Sequence, residues 1–468
     1  MSEREKTAGE LLAEQLLVKN ENGALKLTDE ELDAADRFCE PYKKFLDAGK
    51  TEREAVVTAV SMLREHGYAE FDPAKKYVAG DKIYYNNRGK ALIFATMGTR
   101  PIEEGVNVMA AHIDSPRLDL KPNPLYEDTD LGYFKTHYYG GIRKYQWSAI
   151  PLALHGVIAK KDGSVVTVKL GDDEGDPVFC VTDLLPHLSK DQDKRQLHEG
   201  LRGEELNILI GSRPFRDDKA GEKVKLALAK ILFDKYGMTE KDFLSAELNA
   251  VPAFRARDLG FDRSMIGAYA HDDKVCAYTA LMAALEVDHP EVTHVTILAD
   301  KEETGSKGNT GMDSRFFDYF IDDLARPYGV AGHTVLTHSR CLSADVNCAH
   351  DPSFPDVTER RNVAYINGGA VITKYTGAGG KNSTNDASAE FMACVRRVLD
   401  EDGVLWQTGE LGKVGQGGGG TVAMYLSGLD IEVVDIGVPV LSMHSPFEVV
   451  SKVDVWSTYR AFRAFIRA

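Results

Sequence analysis

Apolar residues recur three and four positions apart in ELLAEQLL and in TDEELDAADRFCEPYKKFL, which predicts helices with one buried face over residues 1 to about 70. Short apolar runs follow. KALIFATMG (90–98) and GVNVMAAHID (105–114) are strand-length and bounded by glycine, the pattern of buried strands in a mixed sheet. From about 120 to 255 the texture changes, with HYYGGIRKYQW, LALHGVIAKKDGSVVTVKL and the polar KDQDKRQLHEGLRGEE predicting antiparallel strands joined by loops. Alternation then resumes: the helix DDKVCAYTALMAALEV, the strands THVTILAD and AVITKY, the helix NDASAEFMACVRRVLDED, the strand IEVVDIG and a closing helix VDVWSTYRAFRAFI. The predicted fold class is α/β, a mixed sheet sandwiched by helices, built from residues 1–119 and 256–468 and interrupted by a mainly β domain at 120–255. No internal repeat is visible.

A chain of 468 residues exceeds the size at which one core keeps growing, which agrees with two domains. Hydrophobic residues make up 43% and charged residues 27%, near globular averages, and no apolar run approaches the roughly 20 residues of a membrane helix. The amino terminus, MSEREKTAGELLAEQLL, has no apolar stretch of the secretory kind, so a cytoplasmic location is expected. Cysteines 39, 180, 276, 341, 348 and 394 show no CxxC pairing, which speaks against a disulfide framework and against a thiolate zinc knuckle. A net charge of −16 argues against binding nucleic acid or an anionic membrane, since phosphate contact needs clustered Lys and Arg. It leaves substrate charge open.

The candidate chemistry sits where strands end. Catalytic groups of open α/β sheets collect outside the carboxyl ends of strands. His112 and Asp114 close VNVMAAHID, Asp272 and Asp273 precede a helix, Glu302 and Glu303 close THVTILADKEE, Asp345 follows CLSA and His444 follows VPVLSM. Imidazoles and carboxylates without thiolate suit zinc, manganese or cobalt, and a carboxylate between two segments can bridge two ions. Two ions a few ångströms apart activate a water and polarise a carbonyl. One of the adjacent glutamates then binds metal while its neighbour accepts the proton of the water. Each element taken singly has a plainer reading: a histidine at a strand end is ordinarily structural, Asp272 can cap a helix, and paired glutamates usually lie on the surface.

Other motifs fail on their spacing. GAGGKNST (377–384) has Tyr375 where a phosphate loop needs its first glycine and Asn382 where it needs Ser or Thr. GQGGGGT (415–421) lacks the strand, helix and ribose-binding acid of a dinucleotide fold, and instead suits close approach of backbone to a site or substrate. Neither H-E-x-x-H nor G-x-S-x-G occurs.

With AAHIDSPRLDLKP, DKEETGS, SADVNCAH, GGGGT and LSMHSP in place, the chain resembles the aspartyl aminopeptidase family, which includes vacuolar aminopeptidase I, over nearly its whole length. The resemblance implies a dinuclear zinc exopeptidase that removes N-terminal residues, Asp or Glu above all, from short peptides by means of a two-zinc-activated water. Matched position by position, it implies that His112 binds one zinc with Asp114 orienting it, and that Asp272 bridges the ions with Asp273 beside it. Glu302 is then the general base, Glu303 a zinc ligand, Asp345 a ligand of the other zinc and His444 the last ligand. It further implies that residues 120–255 are a dimerisation domain, that His187 in PHLSKDQ reaches a neighbouring subunit's site to stabilise the oxyanion, and that dimers assemble into a dodecamer. Lys374 is a candidate partner for an acidic substrate side chain, although a lysine at a strand end is ordinarily a solvated charge. The chain departs from the family in carrying Asp273 where Asn is frequent, in GGGGT, and in a long AVITKYTGAGGKNSTNDAS segment. A carboxypeptidase or deacylase using the same two-metal chemistry, and a non-catalytic assembly protein on the same scaffold, stand as alternatives.

Overall fold

Nine strands form the central sheet, in the spatial order Ala69–Glu70, Lys82–Asn87, Ala91–Thr96, His294–Ala299, Asn107–His112, Arg340–Ala344, Glu432–Gly437, Ala370–Thr373 and Trp406–Thr408. The structure, a computed structural model, describes residues 6–19 and 21–468; residues 1–5 and 20 of the expected helical N-terminus lie outside the described residues. The four strands from His294–Ala299 to Glu432–Gly437 run parallel. Their side chains alternate between two cores, as the two-residue period of a strand requires. Met109, Ala111 and Leu298 enter one core with the helices Asp29–Ala48, His271–Glu286, Ala389–Glu401 and Lys452–Arg467. Val108, Ala110, Val295 and Ile297 enter the other with Phe316–Ala325 and Gly332–Thr337. Fully burying one such aliphatic side chain is worth about 1.5–3 kcal/mol, so the continuous apolar runs are explained by cover on both faces.

The register sets up the site. Ala299 lies opposite His112, so these strands end level and deliver the residues after them to one carboxyl edge. Beyond Ala299 the backbone turns through left-handed conformations at Lys301 (φ +66°) and Gly305 (φ +85°). That turn is what two adjacent glutamates need in order to face the same side.

Five residues after His112 the chain enters a seven-stranded antiparallel sheet whose strands span residues 117–252, in the order Val165–Leu170, Leu152–Ala159, Ala246–Pro252, Arg117–Asp128, Leu131–Tyr139, Asn207–Gly211 and Cys180–Val181. It has its own core, with Trp147, Phe134 and Phe243 among its aromatic members. The expected mixed sheet between helices, with a β insertion, is therefore the architecture seen. A third sheet was not foreseen. Arg257–Leu259, Met265–Ala268, Glu448–Ser451, Pro439–Leu441 and Asn347–Cys348 form it, and it carries the loops that hold Asp272 and His444. Its members are two to four residues long, too short to show a period. No helix among the described residues is long and apolar enough to cross a membrane.

Candidate metal centre

Asp272 lies between two imidazoles. Its Oδ1 is 3.2 Å from His112 Nε2 and its Oδ2 is 3.1 Å from His444 Nε2. On the His112 side Asp345 Oδ1 stands 3.9 Å from that nitrogen, and on the other side Glu303 Oε2 stands 3.6 Å from His444 Nε2. Glu302 Oε2 is 3.8 Å from His112 Nε2. Ligand atoms of His112, Asp272 and Glu303 all fall within 4.8 Å of one another, and so do those of His112, Asp273 and Asp345.

Local backbone explains the convergence. Ala270 is left-handed (φ 66°, ψ 36°) and Asp272 is non-helical (φ −75°, ψ 111°), so the Asp272 carboxylate leaves the helix start and faces the imidazoles instead of capping the helix. The Asp272 amide donates to Glu448 Oε2 at 3.0 Å and the His444 amide to Glu448 Oε1 at 2.7 Å, so one buried carboxylate ties both loops together. Asp114 does the same for the opposite wall: it accepts from the amides of Glu302 and Glu303 at 3.2 Å each, and its Oδ1 lies 3.3 Å from His112 Nδ1.

The electrostatics are those of an acidic cluster short of positive charge. Burial pushes Glu302 up to about 7 and Glu448 up to about 8, and raises Glu303, Asp345 and Asp273 well above the carboxylate range. Burial also opposes charge on Asp272, yet the two imidazoles hold it below its ordinary value. Asp272 Oδ1 and Glu303 Oε1 are buried with no hydrogen-bond partner. Although His112 Nε2 is 3.2 Å from Asp272 Oδ1, that oxygen makes no hydrogen bond, and two buried carboxylate oxygens left without donors suit a bound cation.

Residues 45–466 match the model of the M18 peptidase family, described as aminopeptidase I zinc metalloprotease. A probable M18 family aminopeptidase 1 of Clostridium acetobutylicum is 47% identical over 459 residues, 96% of this chain and 99% of that protein. The chain belongs to the M18 peptidase family. It is a metalloaminopeptidase. Crystal structures of M18 enzymes agree in fold: that from Thermotoga maritima superposes with a TM-score of 0.91 at 43% identity, covering 96% of this chain and 99% of that one. Aminopeptidase I from Clostridium acetobutylicum gives 0.91 at 45% identity, covering 97% and 100%.

The donor set of this M18 chain fits the zinc of its family. All its candidate ligands are nitrogen or oxygen, the imidazoles present Nε2, and oppositely placed oxygens of Asp272 face separate histidines. Two of the expected residues are not brought to the cluster within this chain. His187 is exposed on the loop after Cys180–Val181. Lys374 is exposed after Ala370–Thr373, a strand antiparallel to Glu432–Gly437 with Val371 level with Gly437 and Thr373 with Asp435, so the strand runs away from the carboxyl edge and carries the lysine with it. Asp273, expected beside the ligands, accepts from the His112 amide at 3.3 Å and sits close enough to His112 and Asp345 to join their group. Sequence reasoning passed over Glu448, Tyr139 and Gly141. A signal for Glu448 existed in its place four residues after His444 in HSPFE.

Proposed function

We propose that this M18 aminopeptidase holds two zinc ions, one by His112, Asp272 and Asp345 and the other by Asp272, Glu303 and His444, and removes N-terminal Asp or Glu from short peptides. The observation that carries this reading is the Asp272 carboxylate, whose two oxygens face different imidazoles at 3.2 and 3.1 Å. Zinc bound there lowers the pKa of a water toward ~7 and polarises a carbonyl oxygen; manganese and cobalt are alternatives for the same donors.

The chain's own groups do the rest. Glu302 accepts a proton from the attacking water and returns it to the leaving amine. Its amide is anchored on Asp114 at 3.2 Å, which keeps the carboxylate beside the ligands without making it one. The Asp114 backbone carbonyl also fixes the His112 ring by accepting from Nδ1–H at 3.1 Å, and the His444 Nδ1–H donates to the carbonyl of Gly141 at 2.8 Å, leaving Nε2 free to bind. Residues 120–255 are the dimerisation unit in this reading. The loop bearing His187 exposes Leu184, Leu185 and Leu188, an apolar surface suited to another subunit, where His187 would donate to the developing oxyanion. A yeast protein described as the mApe1 dodecamer shares the fold, with a TM-score of 0.73 at 20% identity, and supports assembly of dimers into a dodecamer here. Lys374, exposed but carried away from the carboxyl edge by its strand, is not the cation for the acidic side chain in its own chain's site. Six free cysteines agree with a reducing, cytoplasmic setting.

The test is a panel of aminoacyl anilides, free and N-acetylated, with the metal stripped and restored. Aspartyl and glutamyl anilides are expected to be cleaved fastest, the acetylated ones not at all, and zinc to restore chelated enzyme. Faster cleavage of the leucyl anilide overturns the acidic preference. Full activity without metal overturns the mechanism.

A further inference from the structure

The seven-stranded sheet touches the metal centre through three consecutive residues. Tyr139 ends the strand Leu131–Tyr139 and its hydroxyl donates to Asp114 Oδ2 at 2.7 Å. At Gly140 the backbone is left-handed (φ +74°) and a Cβ would lie 3.1 Å from Glu303 Oε2, so any side chain there is strained and crowds that carboxylate. Gly141 offers its carbonyl to His444 Nδ1 at 2.8 Å.

Tyr139 is itself held. It is the register partner of Arg117, whose guanidinium lies 4.0 Å from the Tyr139 ring centroid, a cation–π contact that follows from the strand pairing. Arg117 is fixed in turn by Glu52 Oε2 at 3.0 Å and Asp119 Oδ1 at 2.8 Å. The oxygen of Asp114 that Tyr139 grips also accepts the Glu303 amide at 3.2 Å, and the other oxygen accepts the Glu302 amide at 3.2 Å. Asp114 is fully buried, so without the hydroxyl its carboxylate loses one of its few hydrogen-bond donors.

We propose that Tyr139 is a positioning residue for the metal centre: through the Asp114 carboxylate it fixes the backbone of both glutamates beside His112, and it couples the seven-stranded sheet to the site. This rests on the ligand reading given above. Partners that orient metal ligands contribute about 10–100-fold to metal affinity or activity.

The experiment is Tyr139→Phe in the full chain, with Tyr138→Phe as control and His112→Ala as reference. Zinc affinity is measured by chelator competition from metal-free protein, together with kcat, KM and the Tm of the metal-free form. The expected result for Tyr139→Phe, measured well below the metal-free Tm, is zinc affinity and kcat each lower by about 10–100-fold with KM within about twofold; the metal-free Tm falls only by the loss of one buried hydrogen bond, while Tyr138→Phe matches wild type. Zinc affinity within twofold of wild type, or a KM that rises as far as kcat falls, overturns the positioning role. If His112→Ala binds zinc as wild type does, the ligand reading itself has failed. If His112→Ala loses zinc while Tyr139→Phe does not, only the role of Tyr139 has failed.

Discussion

Replacing Glu302 by Gln separates proton transfer from metal binding. The side chain is nearly isosteric, and the backbone stays anchored because the Glu302 amide donates to Asp114 Oδ1 at 3.2 Å independently of the side chain. Glu302 belongs to neither ligand group, although its Oε2 lies 3.8 Å from His112 Nε2, close enough to reach a water held between the histidines. The amide can fill that space but cannot take a proton. General base catalysis is worth about 10²–10⁴-fold, and at ~1.36 kcal/mol per decade the barrier rises by about 2.7–5.4 kcal/mol. The assay is steady-state cleavage of an aminoacyl anilide with zinc content measured on the same sample. The expected outcome is kcat lower by about 10²–10⁴-fold, KM within a few fold and zinc content unchanged. A variant that keeps its zinc and turns over within tenfold of wild type refutes the assignment of Glu302 as the base.

Two further predictions concern stability. Tyr42→Phe removes the hydroxyl 2.7 Å from His271 Nδ1, leaving a buried ring nitrogen unpaired just before Asp272, so unfolding of the metal-free chain should become easier by about 1–3 kcal/mol; an unchanged denaturation midpoint contradicts this. Where the seven-stranded sheet meets the N-terminal helices, His155 is buried with Nδ1 2.9 Å from Glu54 and Nε2 3.1 Å from Asp172, and Lys50 and Lys169 also face Asp172. Burial lowers the imidazole pKa, but Asp172 and Glu54 outweigh it and leave it raised. A raised folded pKa stabilises fully below the unfolded value of ~6.5 and loses that contribution as pH climbs through the folded value. The Tm gap between wild type and His155→Gln should therefore be widest below about pH 6.5 and shrink above it. A gap independent of pH disproves the charged clamp.

What could be read from the sequence was where apolar runs stop. His112 ends, and Glu302 follows, a six-residue strand buried along its whole length, and such runs announce both a central parallel strand and its carboxyl end. The meeting of Asp272 and His444 with them depends on the small third sheet, whose strands Pro439–Leu441 and Asn347–Cys348 carry no period to read. Tyr139 was hidden for a different reason. It is one of two tyrosines in HYYGG, and alternation cannot say which of them faces the site until pairing with Arg117 fixes the register. Glu448 reads as an ordinary strand-end acid, and only its two amide donors, from Asp272 and His444, reveal that it braces the centre.

The most direct test of the central claim is zinc stoichiometry on protein purified without chelator, for wild type, His112→Ala and His444→Ala. Two zinc ions per wild-type chain, falling to about one in each variant, is the result that the shared Asp272 carboxylate predicts. A single ion per wild-type chain, or a content that neither substitution changes, contradicts it.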